Sequence, residues 1–194
     1  QPATEPATHD PTANELMLLA RHYELEVRDR QVLDVDKLRE SARLYRKATE
    51  ADPESALAHS RLAGVLLLLG DLEAAEAPIF KALSLNPNLS EVQNTLGEFY
   101  WARGRPAAPA AFARAVELNP NNPDALQNHA DTLMWSYEAT GDTTEEWLAL
   151  YRRALDLDRL SLARHTALGD FLGKFGFWEE IPAVIEDVLE LFDN

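Results

Sequence analysis

Lys81–Asn88 reads KALSLNPN and Arg114–Asn121 reads RAVELNPN. The same ending recurs upstream as KATEADPE, Lys47–Glu54. It recurs downstream as RALDLDRL, Arg153–Leu160, where Arg159 stands in the place of the proline. Pro53, Pro87 and Pro120 thus return at about 34 residues, a spacing typical of repeat architectures. Helix-period apolar patterns with a small central residue accompany these endings: Leu19-Ala20, Leu62-Ala63, Leu96-Gly97, His129-Ala130 and Leu168-Gly169. Five units result. Each reads as two amphipathic helices, A and B. The small residues fall where the backbones of A and B must approach, and the Asn-Pro and Asp-Pro pairs stop helix B, because the residue before proline is pushed out of the helical region. Gly70, Gly104 and Gly176 fall at helix ends, where a left-handed residue is needed, and Asp71 is placed to cap the helix that follows Gly70.

These motifs resemble the tetratricopeptide repeat over about nine tenths of the chain. Unit two carries the pattern most fully, as Leu62, Ala63, Leu66, Gly70, Leu72, Ala75, Ile79, Ala82 and Pro87. Unit three follows with Leu96, Gly97, Tyr100, Gly104, Ala108, Phe112, Ala115 and Pro120. The register places units at 13–55, 56–89, 90–122, 123–161 and 162–194 after a Pro/Thr/Ala-rich tail, 1–12, expected to be disordered. The fold implied is all-α, a right-handed α-solenoid. Units one and four carry insertions, Glu26–Val35 and Ser136–Glu145, expected to extend helix A or lengthen its connection to B. Pro78 falls inside a helix B and predicts a bend.

The 194 residues hold 18 Lys+Arg against 33 Asp+Glu, a formal charge of −15, with 46% hydrophobic residues. That balance argues against nucleic acid, whose affinity comes from cations displacing counterions from phosphates, and against an anionic membrane surface. The longest uncharged apolar run, Leu62–Gly70, is far short of the roughly 20 residues of a transmembrane helix, so no membrane insertion is expected. There is no cysteine, hence no disulfide, thiolate nucleophile or Cys-ligated zinc. The five histidines have no HxxxH or HExxH spacing, and His59, His129 and His165 occupy helix A positions expected to pack. No nucleophile elbow, P-loop or dinucleotide fingerprint occurs. Neither a catalytic residue nor a metal or other cofactor is expected.

Binding is the function the resemblance implies, since arrays of this type line their concave surface with helix A residues at set positions. Unit three offers Glu91, Asn94, Glu98 and Trp101 there. Unit four offers Asp124, Gln127, Asp131, Met134 and Trp135, and unit five Thr166 and Asp170. Asn14, Met17, Arg21, Glu24 and Leu25 come from unit one, and Leu57, Ser60, Gly64, Leu67 and Leu68 from unit two. Such a groove would be acidic toward the C-terminal half and suit a protein or peptide that is basic or mixed basic and apolar. The Lys, Arg and Asn pattern of repeats that clamp chaperone C-terminal carboxylates is replaced here mostly by Glu, Asp, Gln and Ser. Trp101 and Trp135 read either as aromatic anchors or as packing against neighbouring helices.

A second reading is a self-associating structural module. Helix B of unit five has Ile185, Val188, Leu189 and Phe192 with no further unit to cover them, so a second copy or another domain is expected on that face. A third is the regulatory portion of a larger signalling or assembly protein. The stretch from Leu16 to Leu62 is similar to arrays attached to bacterial nucleotide cyclases, and Asp124–Asp193 to those of bacterial cytochrome c maturation proteins. Export after removal of a signal peptide and a cytoplasmic fragment of a larger protein are both compatible with the N-terminal composition.

Overall fold

The computed structural model describes residues 11–30, 34–140 and 146–192. Ten α-helices are found among them: α1 (Pro11–Arg30), α2 (Val35–Ala51), α3 (Ala56–Leu68), α4 (Leu72–Leu85), α5 (Ser90–Ala102), α6 (Ala108–Leu118), α7 (Pro123–Thr140), α8 (Glu146–Leu157), α9 (Leu162–Phe175) and α10 (Ile181–Phe192). Each odd-numbered helix packs antiparallel on the next even one, and α3, α5 and α7 also pack on one another. The described residues thereby form an all-α solenoid.

Local chemistry sets the helix boundaries. Asp34, Ser55, Asp71 and Ser161 accept from the N–H three residues on and start α2, α3, α4 and α9. Gly70, Gly104 and Gly176 have φ of 76°, 61° and 80°, which L side chains rarely adopt. Three helix B ends share one turn: Asp52 accepts from the Glu54 N–H at 3.3 Å, Asn86 from Asn88 at 3.2 Å and Asn119 from Asn121 at 3.1 Å. The basic residue that opens the next ending then reaches across the unit boundary to the last residue of that turn. Lys81 Nζ donates to Glu54 at 3.2 Å, Arg114 Nη2 to Asn88 at 3.2 Å and Arg153 Nη2 to Asn121 at 3.3 Å. The repeated lysine or arginine of the sequence is therefore a link between neighbouring units.

The core runs along the stack in two main clusters. Ala20, Leu38, Tyr45, Leu62, Leu66, Ile79, Leu96 and Phe99 form one through α1–α5. The other gathers Met134, Trp147, Tyr151, Leu168 and Leu172 from α7–α9. Each unit supplies only part of its own cover, which is why the helices are stable as a stack. Small residues permit the close crossings: the Ser41 hydroxyl reaches the Ala20 carbonyl at 2.8 Å, and Ser90 the Ala115 carbonyl at 2.9 Å.

Several expectations are modified. Helix α1 begins at Pro11, inside the segment expected as tail, while residues 1–10 lie outside the described residues. The insertions extend helix A, with α1 reaching Arg30 and α7 Thr140; the remainder of each, 31–33 and 141–145, lies outside the described residues, and Val35 already belongs to α2. Pro78 lies inside helix α4, as the register places it, between the buried Ala75 and Ile79.

Candidate functional site

The inner helices enclose two adjoining cavities of about 260 and 740 Å³, which share Arg21, Glu24, Arg61, Glu98, Pro123 and Asp124 and so make one channel. Helix α1 forms one side. The turn between α8 and α9 closes the other, so that Leu25 and Leu160 line the same space from opposite ends of the array. Leu160 is 83% exposed. It follows Arg159, the residue that replaces proline. In this turn Asp158 does not cap the residue two positions on, as its counterparts do; its carboxylate takes a hydrogen bond from Arg164 Nε at 3.2 Å.

Arg164 is the hub of the C-terminal wall. Its side chain is 10% exposed and pairs with Asp124 at 2.6 Å as well as with Asp158, while Nη1 donates to Gln127 and to the Pro123 carbonyl. On α5 and α7 an amide ladder crosses the channel floor. Asn94 Nδ2 donates to Glu98 at 3.0 Å, and Asn128 Nδ2 donates to Asn94 at 3.0 Å and Glu98 at 3.2 Å. Ser60 joins the floor through Thr95 and the Glu91 carbonyl, both at 3.1 Å.

Of the residues expected in the groove, Glu91, Asn94, Glu98, Asp124 and Gln127 line the channel. Two expectations are corrected. Met134 is 2% exposed and sits in the core with Ala130, Trp147 and Tyr151, because it lies one helical turn after the fully buried Ala130. Asp131 turns away from the channel to accept the Tyr151 hydroxyl; burial pushes its carboxyl above the usual range, with Tyr151 and Arg164 opposing. Burial likewise pushes the Tyr151 phenol up. Thr166, whose hydroxyl returns to the Leu162 carbonyl, and Asp170 lie outside both cavities on the exposed side of α9. Arg61, Asn128 and Arg164 line the channel although the positional reading passed over them; they sit beside the expected positions on the same helices.

Trp101 and Trp135 are 45% and 54% exposed, with their rings edge to face at 5.9 Å, and Lys174 Nζ lies 5.5 Å from the Trp135 ring. Leu25 and Leu68, also exposed, occupy equivalent places on α1 and α3, so an apolar row follows the ends of successive A helices. His165 is buried with Nδ1 2.9 Å from the Ser161 carbonyl, and burial lowers the pKa of His59 and His129. Among the described residues, no cluster of side chains fits a metal ion and no helix is long and apolar enough to cross a membrane. On the terminal face Ile185 and Leu189 are exposed and Val188 is half-buried; the Phe192 side chain lies outside the described residues.

No family model matches the sequence. The structure is similar to TTC0263, a thermophilic tetratricopeptide-repeat protein of Thermus thermophilus, at 18% identity and a TM-score of 0.70 over 92% of this chain and 91% of that one. It is also similar to YrrB, described as a repeat protein with an unusual peptide-binding site, at 19% identity and a TM-score of 0.53 over 92% and 86% of the two chains. The first repeat domain of Spaghetti (RPAP3), solved with the HSP90 peptide SRMEEVD, matches at 21% identity and 0.54 over 71% and 100%. The fold is that of the tetratricopeptide repeat, as the sequence motifs imply.

Proposed function

We propose that this array is a protein-interaction scaffold whose inner channel takes a peptide or loop of a partner, basic or mixed basic and apolar. The observation that carries this reading is the exposed Trp101–Trp135 pair on the same inner helices as a channel lined by Glu91, Glu98, Asp124 and Asp158. Exposed tryptophans are enriched among residues that dominate binding energy, and the carboxylates steer a cationic chain and select against an anionic one. The peptide-binding descriptions of YrrB and the RPAP3 domain add support by analogy of fold.

Selection from a displayed random-peptide library on the full chain tests it. The synthesised winner should lose about tenfold or more in affinity on Trp101→Ala/Trp135→Ala. Glu91→Lys/Glu98→Lys should weaken it further at low salt than at high. Unchanged binding by both variants removes the channel as the site.

The exposed Trp178, Ile185 and Leu189 on α9–α10 favour a second, compatible reading, self-association through the terminal face. Light scattering of Ile185→Ala/Leu189→Ala decides it. A dimer lost in the variant supports the contact, and a wild-type monomer at micromolar concentration removes it.

A further inference from the structure

We propose that Arg21 and Arg61 together seat one acidic side chain of the bound peptide. The channel then recognises a segment with its acid at α1 and α3 and its basic residues toward α5 and α7. This rests on the channel reading above and adds to it a carboxylate requirement and a direction.

Three observations carry the seat. Both arginines line both cavities, so they stand at the junction of the channel. Neither makes a hydrogen bond or ion pair among the described residues, whereas Arg164, the other guanidinium of the channel, is fully engaged by Asp124, Asp158, Gln127 and Pro123. And both lie within electrostatic reach of the Tyr45 phenol, from α1 and from α3. The carboxylate on their own wall, Glu24, is 5% exposed and receives the Tyr45 hydroxyl at 3.1 Å. A guest carboxylate at the junction would supply acceptors to the planar donor forks of both.

The opposite wall has the reverse balance. Glu91 and Glu98 join Asp124 and Asp158 there, with Arg164 as the cation set among them. Cations outnumber carboxylates on the α1–α3 wall and the reverse holds across the channel. A uniformly basic peptide would therefore meet repulsion at Arg21 and Arg61, and a mixed one satisfies both walls in a single orientation. Because the pair stands at the junction of two cavities and not at a closed end, the chain runs past it. The anion is accordingly a side chain within the segment.

The test uses displayed dodecapeptides blocked at both ends, selected on the full chain and on Arg21→Ala/Arg61→Ala. Wild-type winners should carry Asp or Glu at a fixed distance from Lys or Arg, and selection on the variant should keep the basic residues and lose the acid. Replacing the acid of a winner by its amide should weaken binding to the wild type about tenfold or more, the range for a hydrogen bond to a charged group, and leave binding to the variant unchanged. Arg21→Lys/Arg61→Lys keeps the charge and supplies a folded control, recognised by circular dichroism. An equal effect of the amide on wild type and variant, or basic winners without an acid, overturns the seat and leaves the channel reading standing. Winners that bind only with a free C-terminus also overturn it, in favour of a terminal carboxylate. A library in which nothing is enriched overturns both readings.

Discussion

Gly97 and Phe112 meet so closely that a Cβ built on Gly97 would stand 2.5 Å from Phe112 Cε1. The contact joins α5 to α6 at the centre of unit three, and it is the physical content of the Leu-Gly pair in the repeat pattern. Gly97→Ala should cost about 1–3 kcal/mol through overpacking, and pairing it with Phe112→Leu should recover part of that. Gly64→Ala is the internal control. Its Cβ would meet only Thr95 at 3.9 Å, so the gain in helix propensity, up to about 1 kcal/mol, should dominate. Thermal unfolding of the three variants checks the ordering.

Arg164 ties the α8–α9 turn to α7. Its carboxylate partners are roughly a third or more exposed, which discounts each pair, yet the guanidinium itself is nearly enclosed. Arg164→Ala leaves Asp124 and Asp158 facing each other across the channel and should destabilise by about 1–3 kcal/mol, less than loss of a fully buried pair. Asp124→Asn in the same background should recover stability by removing the repulsion. A double-mutant cycle by urea unfolding reads the coupling, and additive effects would show that the hub does not act as one.

Acidification should weaken the fold through His129 and His59. Burial holds both below the ordinary histidine range, the charges of Glu146 and Glu54 opposing, and His129 Nδ1 is buried without a partner among the described residues. Each lowered pKa means that the unfolded chain binds more protons, so their contribution is present above the unfolded value and is lost as pH falls through the folded one. Asp131 acts with the opposite sign at lower pH: its raised pKa makes the folded state bind the extra proton, so stability falls as pH rises from the unfolded aspartate value through the folded one. Urea midpoints measured from pH 7.5 to 5 should fall, and His129→Gln should flatten the slope.

How much of this was legible follows from what each feature depends on. The turns at Asp52, Asn86 and Asn119, the three positive-φ glycines and the cap at Asp71 depend on residues a few places apart, so spacing alone displays them. The channel depends on which side of each helix A faces inward. A rotation of one residue, about a quarter turn, separates Arg61 from Ser60 and Asn128 from Gln127, and carrying positions from unit to unit does not resolve that step. Met134 was readable from its spacing to Ala130. Asp131 was not, because its direction is set by Tyr151, a partner 20 residues away on α8. Tyr45 reaches Glu24 in the same way from α2, 21 residues on. These two tyrosine–carboxylate bonds belong to the two units with extended A helices.

The tryptophans separate binding from stability in a single series. Trp147 is 3% exposed and packs its ring against Tyr151, Phe175 and Phe177, with centroids at 6.5, 6.2 and 5.8 Å. Trp147→Ala should therefore cost about 3–5 kcal/mol. Trp135 touches Trp101 and Lys174 but leaves half its surface in water, so Trp135→Ala should cost under about 1 kcal/mol, chiefly the edge-to-face and cation–π contributions. Caesium is the informative quencher, since a chain of formal charge −15 attracts the cation to its surface. Quenching should reach Trp101, Trp135 and Trp178 and spare Trp147, and the accessible fraction should fall in Trp101→Phe/Trp135→Phe. If a selected peptide occupies the channel, its addition should protect the Trp101–Trp135 emission while leaving Trp178, on the terminal face, as accessible as before. Protection of Trp178 alone would place the peptide on the terminal face, with the channel left empty.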